Sequence, residues 1–399
     1  FVRKRRAAAT PAALAPTKGF EGAITLIDQD RNAGYERPYL SKNALTEPGA
    51  TCADFALLTQ NEICELSLDA HFGARVEALS PHDMTIRIDG GGSRHADRIL
   101  LATGGLALRL PIPGADLRGV HVLRNYDDAT ALRNDLQSGG DIAVIGGGLI
   151  GAETVASLIS LGLRPLWIDA APAPLTHCIP RQLAAPLTEE LTGGGAELLS
   201  GVRLARFEDD GRGRVAAVHF GDGRRISANT VVLGVGMAPA IDLARYAGLD
   251  ICNDAICVDP AHQTSHPGVY AAGDAAAVRD ASGRTVRREH WRSAEFQGQA
   301  AADAMLGEAP EEPPIDWFWS DQGANHIEMA GRRGAVSIVR ETEDWPVVFE
   351  TENGRIVRVA SVNNPNAVRI GLRLIRNGMT ASAEALSDPS TDLRQLLRA

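Results

Sequence analysis

Residues 141–169 read DIAVIGGGLIGAETVASLISLGLRPLWID, and this stretch decides the fold class. The run from Ile142 to Ile145 is short and apolar, which predicts a buried strand. Three glycines follow it at GxGxxG spacing: Gly146, Gly148 and Gly151. A helical pattern then continues to about Leu161, and a second apolar run ends at Asp169. Strand, glycine-rich turn, helix and strand in this order predict a βαβ unit with parallel strands.

Each glycine of this turn has a mechanical role in binding a dinucleotide. Gly146 permits the tight turn, Gly148 lets the backbone approach a pyrophosphate, and Gly151 lets the helix and strand pack closely. The N-terminus of the helix would then face the phosphates with its partial positive charge. Asp169 is placed to accept hydrogen bonds from both ribose hydroxyls, and its charge repels a 2′-phosphate. The stretch therefore predicts a site that favours NADH over NADPH.

Three further stretches predict a second nucleotide site. Residues 96–105, ADRILLATGG, read as a strand that runs into a turn of small residues. Residues 231–240, VVLGVGMAPA, have a similar pattern. In TSHPGVYAAGDAAAV, residues 264–278, a strand ends at Gly273 and Asp274. We expect a helix to follow there, so that Asp274 lies at the start of a helix with its carboxylate facing a cleft.

The composition excludes several classes of protein. The 399 residues are 44% hydrophobic, which is enough for two or three domains with sizeable cores. A net charge of −10 lacks the basic excess of a nucleic-acid-binding protein. No apolar run has the length of about 18 residues that a membrane helix needs. The five scattered cysteines predict a reducing cytoplasm and neither a disulfide framework nor a metal site. Because the chain starts with Phe1, we expect it to be a fragment or a processed product.

Several of these stretches together resemble the FAD-dependent pyridine nucleotide reductases, and within them the NADH:ferredoxin reductases of bacterial oxygenase systems. The motifs that carry the resemblance are YERPYLSK (35–42), the ATG turn (102–104), the fingerprint with Glu153, YAAGDAA (270–276), EHWRSAEFQGQAAA (289–302) and DWFWSDQ (316–322). The last motif separates this branch from the disulfide reductases. Gly323 stands where the family has Tyr after SDQ, which loosens one contact.

The resemblance implies an α/β fold with two Rossmann-like dinucleotide-binding domains, one inserted in the other, and a C-terminal α+β domain. An FAD domain would comprise residues 1–115 and 245–315, an NADH domain residues 116–244, and the C-terminal domain residues 316–399. The last domain would contain a meander of strands and a short helix, with a hairpin turn at residues 353–355. The implied cofactors are FAD and NADH, and the implied partner is a ferredoxin-type iron–sulfur protein.

The resemblance also implies roles for individual residues. Lys42 would lie near the flavin ring, where a cation favours the anionic reduced flavin, and Glu153 would pair with Lys42. Lys42 could instead be a solvated surface residue, and Glu153 could simply favour the first turn of its helix. Trp319 would lie over the site, whereas Trp317 belongs to the core. The remaining implied cofactor contacts are Asp28, Arg37, Ala102, Thr103, Gly104, Gly236, Gly273, Asp274, Glu289, His290 and Trp291, with Arg37 alternatively capping a loop.

The implied chemistry is hydride transfer from NADH to FAD, followed by single-electron transfer to a [2Fe–2S] ferredoxin. Close alternatives are a flavin NADH oxidase and a rubredoxin-type reductase. A disulfide reductase would need a cysteine pair in the stretch 35–42, which has none. Cys252 and Cys257 have CxxxxC spacing but belong to a later strand region, so we interpret them as structural. His177 and Cys178 are adjacent and lack partners at metal-ligand spacing, and we interpret them as incidental.

The first βαβ unit lacks the glycines that an FAD site needs. A gapless superposition of Asp28 on Asp169 puts Arg5, Ala7 and Thr10 at the three glycine positions. Either this protein has lost the ordinary FAD phosphate site, or residues 3–18 are a frameshifted reading of a glycine-rich turn. Codons favour the frameshift, because GGC read one or two bases later encodes alanine or arginine. The missing glycines also leave open a flavin-free, non-catalytic NADH-binding protein.

Overall fold

A computed structural model describes residues 18–280, 282–309 and 311–397. Arg5, Ala7 and Thr10, where the first fingerprint was expected, lie outside the described residues. The chain divides into two compact units. Unit 1 takes in the described residues of 18–37, 50–106 and 237–314, and unit 2 those of 38–49, 107–236 and 315–397. Within the described residues, no helix is both long and apolar enough to cross a membrane.

Unit 1 contains five small sheets. Its strands are β1 (Thr25–Asp28), β2 (Asp69–Phe72), β3 (Val76–Ser80), β4 (Thr85–Ile88), β5 (Gly92–His95), β6 (Ile99–Leu101), β7 (Gly105–Ala107, which ends at the unit boundary), β16 (Met237–Pro239), β17 (Ile251–Cys252), β18 (Ala255–Val258), β19 (Val269–Ala271), β20 (Ala276–Arg279) and β21 (Thr285–Arg287). The pairs β1–β2 and β6–β19 are parallel, β7 pairs with β16, and β3–β4–β5 is an antiparallel meander. The fifth sheet has the order β17-β18-β20-β21.

The helices of unit 1 are α2 (Gln60–Glu65), α6 (Asp242–Tyr246) and α7 (Trp291–Met305), with 3-10 turns at Cys52–Phe55 and Gly273–Ala275. A third such turn, Arg37–Tyr39, crosses the unit boundary. Apolar side chains of β3, β6, α6, β18 and β19 form one core cluster of this unit. That cluster also includes Ala275 and Ala276, so the segment after Gly273 is packed into the core of this unit.

Unit 2 is built on a five-stranded sheet of order β11-β10-β9-β15-β8, in which the pairs are parallel. Its strands are β8 (Val120–Val122), β9 (Ile142–Ile145), β10 (Leu166–Asp169), β11 (Glu197–Ser200) and β15 (Thr230–Leu233). Every residue of β9, β10 and β15 is buried, as expected for the central strands of a parallel sheet with both faces covered. A separate antiparallel sheet joins β12 (Leu204–Asp209), β13 (Val215–Phe220) and β14 (Arg225–Ser227).

The helices of this part of unit 2 are α1 (Asn43–Thr46), α3 (Tyr126–Gln137), α4 (Leu149–Ser160) and α5 (Arg181–Gly193). Helix α3 begins at a capping box in which Asn125 and Asp128 satisfy each other's backbone amides. Helix α4 has no polar cap, because its N-cap is Gly148. The strand and helix bounds predicted for residues 141–169 are confirmed to within one or two residues.

The C-terminal part of unit 2 is an antiparallel sheet of order β22-β23-β26-β25-β24. Its strands are β22 (Trp317–Gln322), β23 (Asn325–Gly331), β24 (Val336–Arg340), β25 (Val347–Glu352) and β26 (Arg355–Val362). The predicted turn at residues 353–355 is confirmed, since Asn353 and Gly354 both have positive φ between two paired strands. The expectation of one short helix is wrong: α8 (Pro365–Arg376) has 12 residues, and α9 (Ala383–Ser387) and a 3-10 turn (Gln395–Leu397) follow.

Candidate functional site

The glycine-rich turn of unit 2 is packed so closely that side chains cannot replace two of its glycines. A Cβ on Gly146, whose φ is +118°, would lie 2.2 Å from the carbonyl oxygen of Gly234. A Cβ on Gly151 would lie 2.0 Å from the carbonyl oxygen of Gly146. Gly148 differs, because the nearest atom to its Cβ position is His177 Nε2 at 3.6 Å. The turn therefore joins β9 tightly to α4 and leaves an open backbone face at Gly148, at the N-terminus of a 12-residue helix.

The carboxylate of Asp169 lies directly against this turn. A Cβ on Gly147 would lie only 1.9 Å from Asp169 Oδ2. Gly147 therefore has no side chain that would clash with this carboxylate. Oδ1 accepts a hydrogen bond from the Ala171 amide at 3.3 Å. Oδ2 is buried and has no hydrogen-bond partner among the described residues. A buried carboxylate oxygen without a donor beside a glycine-rich turn fits the ribose hydroxyls of NADH, which would supply the missing hydrogen bonds.

The segment after Asp169 also lies on the turn, although its residues were interpreted as incidental. The Leu175 amide donates to the carbonyl of Gly147 at 2.7 Å, and Leu175 has a φ of +63°. The Cys178 thiol accepts a hydrogen bond from the Leu149 amide, while burial raises the pKa of Cys178. His177 is exposed beside Gly148. The spacing of His177 and Cys178 in the sequence could not reveal that they lie beside the glycine-rich turn, because this segment reaches the turn through a non-helical loop.

A second cluster in unit 2 surrounds the carboxylate of Glu153, which is 6% exposed. The predicted ion pair is present: Lys42 Nζ lies 3.1 Å from Glu153 Oε1. Three hydroxyl contacts complete the cluster. Ser320 Oγ donates to Glu153 Oε1 at 2.7 Å, Ser41 Oγ donates to Glu153 Oε2 at 2.5 Å, and Ser157 Oγ donates to the Ser41 carbonyl at 2.7 Å. The lysine and the carboxylate are thus held in one geometry by three segments that are distant in sequence.

Lys42 has a second anionic partner that sequence reasoning missed. Asp321 Oδ2 lies 3.4 Å from Lys42 Nζ, and Asp321 Oδ1 lies 2.6 Å from His326 Nδ1. Glu153 is buried, whereas the Asp321 side chain is 39% exposed. The only available signal was the SDQ motif, in which Ser320 and Asp321 are adjacent. The ammonium group is therefore shared between a buried carboxylate and one that water partly screens.

Trp317 and Trp319 stack with ring centroids 5.4 Å apart and an interplanar angle of 29°. Trp317 also packs against the core cluster of the C-terminal sheet, as predicted. Trp319 lies on strand β22, directly before Ser320 and Asp321. The predicted position of Trp319 over a flavin stays a prediction.

In unit 1, the first residue expected to bind FAD lies at the end of a strand. Asp28 ends β1, and its Oδ1 accepts a hydrogen bond from the Asp30 amide at 2.9 Å. Burial raises the pKa of Asp28, and the positive charge of Arg37 opposes that rise. Arg37 is therefore near enough to Asp28 to affect its charge. A carboxylate at the end of the first strand fits a ribose of FAD.

The ATG turn, Ala102 to Gly104, follows β6 and is tied to the segment after β16. Thr103 Oγ1 donates to the Ala240 carbonyl at 2.6 Å, and the Ala240 amide donates to the Gly104 carbonyl at 2.9 Å. Gly104 and Gly236 have φ values of +66° and +103°, which L-residues rarely adopt. These two glycines therefore turn the chain where strands end.

The prediction that a helix begins at Asp274 is wrong. Gly273–Ala275 is a single 3-10 turn, and strand β20 follows at once. The chain returns to the sheet because Ala276 and Ala277 are buried beside β18. Asp274 is still presented at the end of β19, and the Gly273 amide donates to Gln297 Oε1 of α7 at 2.9 Å.

Glu289, His290 and Trp291 lie at the start of α7, where His290 is the N-cap and Trp291 the first helical residue. The Glu289 side chain pairs with Arg287. The role that the resemblance implies for the backbone of Glu289 stays a prediction. The described part of unit 1 thus has carboxylates and backbone groups suited to the ribose and ribityl parts of FAD, while the expected phosphate-binding turn lies outside the described residues.

Two family models match the chain. Residues 7–298 match the pyridine nucleotide-disulphide oxidoreductase family, and residues 317–397 match the reductase C-terminal family. The ferredoxin–NAD(+) reductase component of the biphenyl dioxygenase system of Paraburkholderia xenovorans is 32% identical over 98% of this chain and 96% of its own length. The corresponding component of the p-cumate 2,3-dioxygenase system of Pseudomonas putida is 32% identical over 94% of this chain and 92% of its own.

Solved structures agree with these sequence matches. The crystal structure of a covalent complex of putidaredoxin reductase with putidaredoxin matches with a TM-score of 0.92 and 27% identity. That match covers 98% of this chain and 96% of the solved chain. The similarity therefore extends over both units and includes the strands that carry the two clusters described above.

Proposed function

This chain belongs to the pyridine nucleotide-disulphide oxidoreductase family, and from that premise we propose that it is an NADH-dependent, FAD-containing ferredoxin reductase that serves an oxygenase. The observation that carries the proposal is the extent of the similarity. The dioxygenase-system reductase of Paraburkholderia xenovorans aligns with almost the whole chain, and the C-terminal model matches the part that begins at Trp317. A protein that only shared a dinucleotide-binding domain would match over part of its length.

The two clusters of unit 2 have separate tasks in this proposal. The amides at the start of α4 bind the NADH pyrophosphate, since Gly148 has no side chain to obstruct it. Asp169 accepts hydrogen bonds from the adenosine ribose and orients the nucleotide. Hydride transfer needs no general acid or base, so these residues act by binding and orientation.

Lys42 supplies fixed positive charge near the flavin ring. Glu153, Ser41 and Ser320 hold its ammonium group in place, and their hydrogen bonds fix the Glu153 carboxylate in turn. A preorganised charge of this kind stabilises negative charge as it develops, without any reorganisation at that moment. FAD, when bound, supplies the conversion of a two-electron donor into single electrons.

The remaining assignments are part of the same proposal. Asp28, Arg37, Gly273 and Asp274 contact FAD, and the domains divide at residues 115/116, 244/245 and 315/316. The electron acceptor is a [2Fe–2S] protein, and the protein acts in the cytoplasm. A disulfide substrate is disfavoured because the stretch 35–42 contains no cysteine.

Steady-state turnover with NADH tests the proposal. We expect a [2Fe–2S] ferredoxin to be reduced faster than oxygen or a disulfide such as oxidised glutathione. Cys252→Ser and Cys257→Ser serve as matched controls, because a disulfide reductase that used this pair would lose activity in both. Equal or faster reduction of a disulfide, lost in these variants, would overturn the proposal.

A further inference from the structure

Cys252 and Cys257 lie on the two strands of one hairpin. Strand β17 pairs antiparallel with β18 so that Cys252 is opposite Ala255. The two turn residues, Asn253 and Asp254, have φ values of +49° and +55°, which is typical of a tight hairpin. The Cys257 amide donates to the Asp250 carbonyl at 2.8 Å, so the ladder continues past the turn.

This register puts both sulfur atoms on one face of the hairpin. Directly opposed residues share a face, and so do residues two apart on a strand, which places Cys252, Ala255 and Cys257 on the same side. The two thiols are within hydrogen-bonding reach of each other. Cys252 is half-buried and Cys257 is 5% exposed.

The two thiols differ in their surroundings. Burial, together with the neighbouring Cys252 sulfur, raises the pKa of Cys257 to about 11. Burial therefore favours the protonated form of Cys257. Cys252 is the more accessible of the two cysteines, so an oxidant dissolved in water reaches its sulfur first. The form that reacts with the oxidant is the thiolate.

We propose that Cys252 and Cys257 form a peroxide-sensitive dithiol that closes to a disulfide across the β17–β18 hairpin. The site is independent of the proposed ferredoxin reductase activity. It also differs from the disulfide centre considered for residues 35–42, because it lies on a hairpin of the third segment of unit 1, residues 237–314.

The chemistry requires hydrogen peroxide as the oxidant. The Cys252 thiolate attacks one peroxide oxygen, the O–O bond breaks, and a sulfenic acid and water form after protonation of the leaving hydroxide. The Cys257 sulfur then attacks the Cys252 sulfur, the S–O bond breaks, and hydroxide leaves and takes the Cys257 proton as water. Two thiols and one peroxide thus give one disulfide and two waters.

The sequence around the pair offers a direct test. Asp250, Asp254 and Asp259 flank the two cysteines, so a protease that cleaves before Asp releases residues 250–253 and 254–258 as separate peptides. A disulfide keeps these two peptides linked, and the linked species lacks two hydrogen atoms. The full-length native protein is treated with hydrogen peroxide, blocked with iodoacetamide, digested without reductant and analysed by mass spectrometry.

We expect the linked pair to form in the folded protein, with the loss of two of its five thiols and recovery of both on addition of dithiothreitol. Cys252→Ser and Cys257→Ala should each abolish the link, whereas Cys64→Ser, at an exposed cysteine on α2, should not change it. Cys252→Ser is the safer variant for folding, because Cys252 is less buried than Cys257.

Three outcomes would overturn the proposal. The first is oxidation of Cys252 to sulfinic acid with no linked peptide, and the second is oxidation of Cys64 while Cys252 and Cys257 both stay reduced. A link that forms only after denaturation with urea would show that the native hairpin does not bring the sulfurs together.

Discussion

At the scale of single residues, Asp169 has one buried carboxylate oxygen without a hydrogen-bond partner among the described residues, and we propose that this oxygen sets the preference for NADH. We expect Asp169→Asn to lower kcat/KM for NADH about 10- to 100-fold, since a hydrogen bond to a charged group contributes about 1.5–3 kcal/mol. The preference over NADPH should narrow, because the charge that repels a 2′-phosphate is gone. Kinetics with both nucleotides measure this. Asp141→Asn, just before the start of β9 and so away from the glycine-rich turn that follows this strand, is the matched control. An unmodified protein that already prefers NADPH would contradict the assignment.

The ammonium group of Lys42 pairs with a buried carboxylate, Glu153, and with a partly exposed one, Asp321, so the energetic contributions of the two pairs can be compared. Lys42→Met leaves Glu153 buried and charged with only two hydroxyl donors, and we expect this loss to cost about 3–5 kcal/mol of the free energy of unfolding. Asp321→Asn should cost about 1 kcal/mol or less, because its side chain is partly solvated and water screens the pair. Urea unfolding at neutral pH measures both variants. Equal costs would show that the burial difference between Glu153 and Asp321 has no energetic consequence.

At the scale of an element, strand β19 is tied to the preceding loop by a buried neutral histidine. His262 is 2% exposed, its carbonyl accepts from the Ala271 amide at 3.0 Å, and its Nδ1 lies 3.2 Å from the Ala271 carbonyl. Burial lowers the pKa of His262 to about 4, because the charged imidazolium would lose its hydration. Strand β19 ends at Ala271, just before Gly273 and Asp274, so His262 lies next to the segment that we propose contacts FAD.

The sign of the pH dependence follows from that lowered pKa. The unfolded chain binds a proton at His262 near pH 6.5 and the folded chain only near pH 4, so stability is fully present above pH 6.5 and is lost as pH falls towards 4. We expect His262 to remove about 2 kcal/mol of the free energy of unfolding between pH 7 and pH 5. In His262→Asn this part of the pH dependence should disappear, and Asn tolerates the φ of +60° at this position. His82→Asn, at an exposed histidine, should leave the profile unchanged.

At the scale of the whole molecule, we expect the affinity of this proposed flavoprotein for FAD to depend on residues 3–18, which lack the glycines of the first fingerprint and lie almost wholly outside the described residues. We expect the chain as written to purify with little FAD, because side chains at Arg5, Ala7 and Thr10 would obstruct the approach to the pyrophosphate. Setting these three residues to Gly, together with Arg3→Val and Lys4→Ile, should raise the ratio of flavin to protein. It should also raise Tm in added FAD, since a ligand of the folded state stabilises it by mass action. Full FAD occupancy of the original chain would show that the gapless superposition is wrong.

The sequence alone determined the βαβ unit at residues 142–169 almost to the residue. Glycine spacing, apolar runs and a terminal carboxylate are local signals, and each has one mechanical explanation. The composite family pattern likewise predicted the pairing of Lys42 with Glu153, which the structure contains. Asp274 was predicted less well, because the length of a helix after a turn depends on whether the next residues are buried beside a strand.

Only the tertiary structure decided which distant side chains meet. Ser41 and Ser320 converge on Glu153, His177 lies beside Gly148, and Cys252 and Cys257 share one face of a hairpin. No periodicity in the sequence encodes these contacts, because they depend on strand register and on the packing of segments up to 167 residues apart. Local patterns set the elements through backbone geometry and burial, whereas their contacts arise from the simultaneous packing of all elements, which is a property of the whole chain.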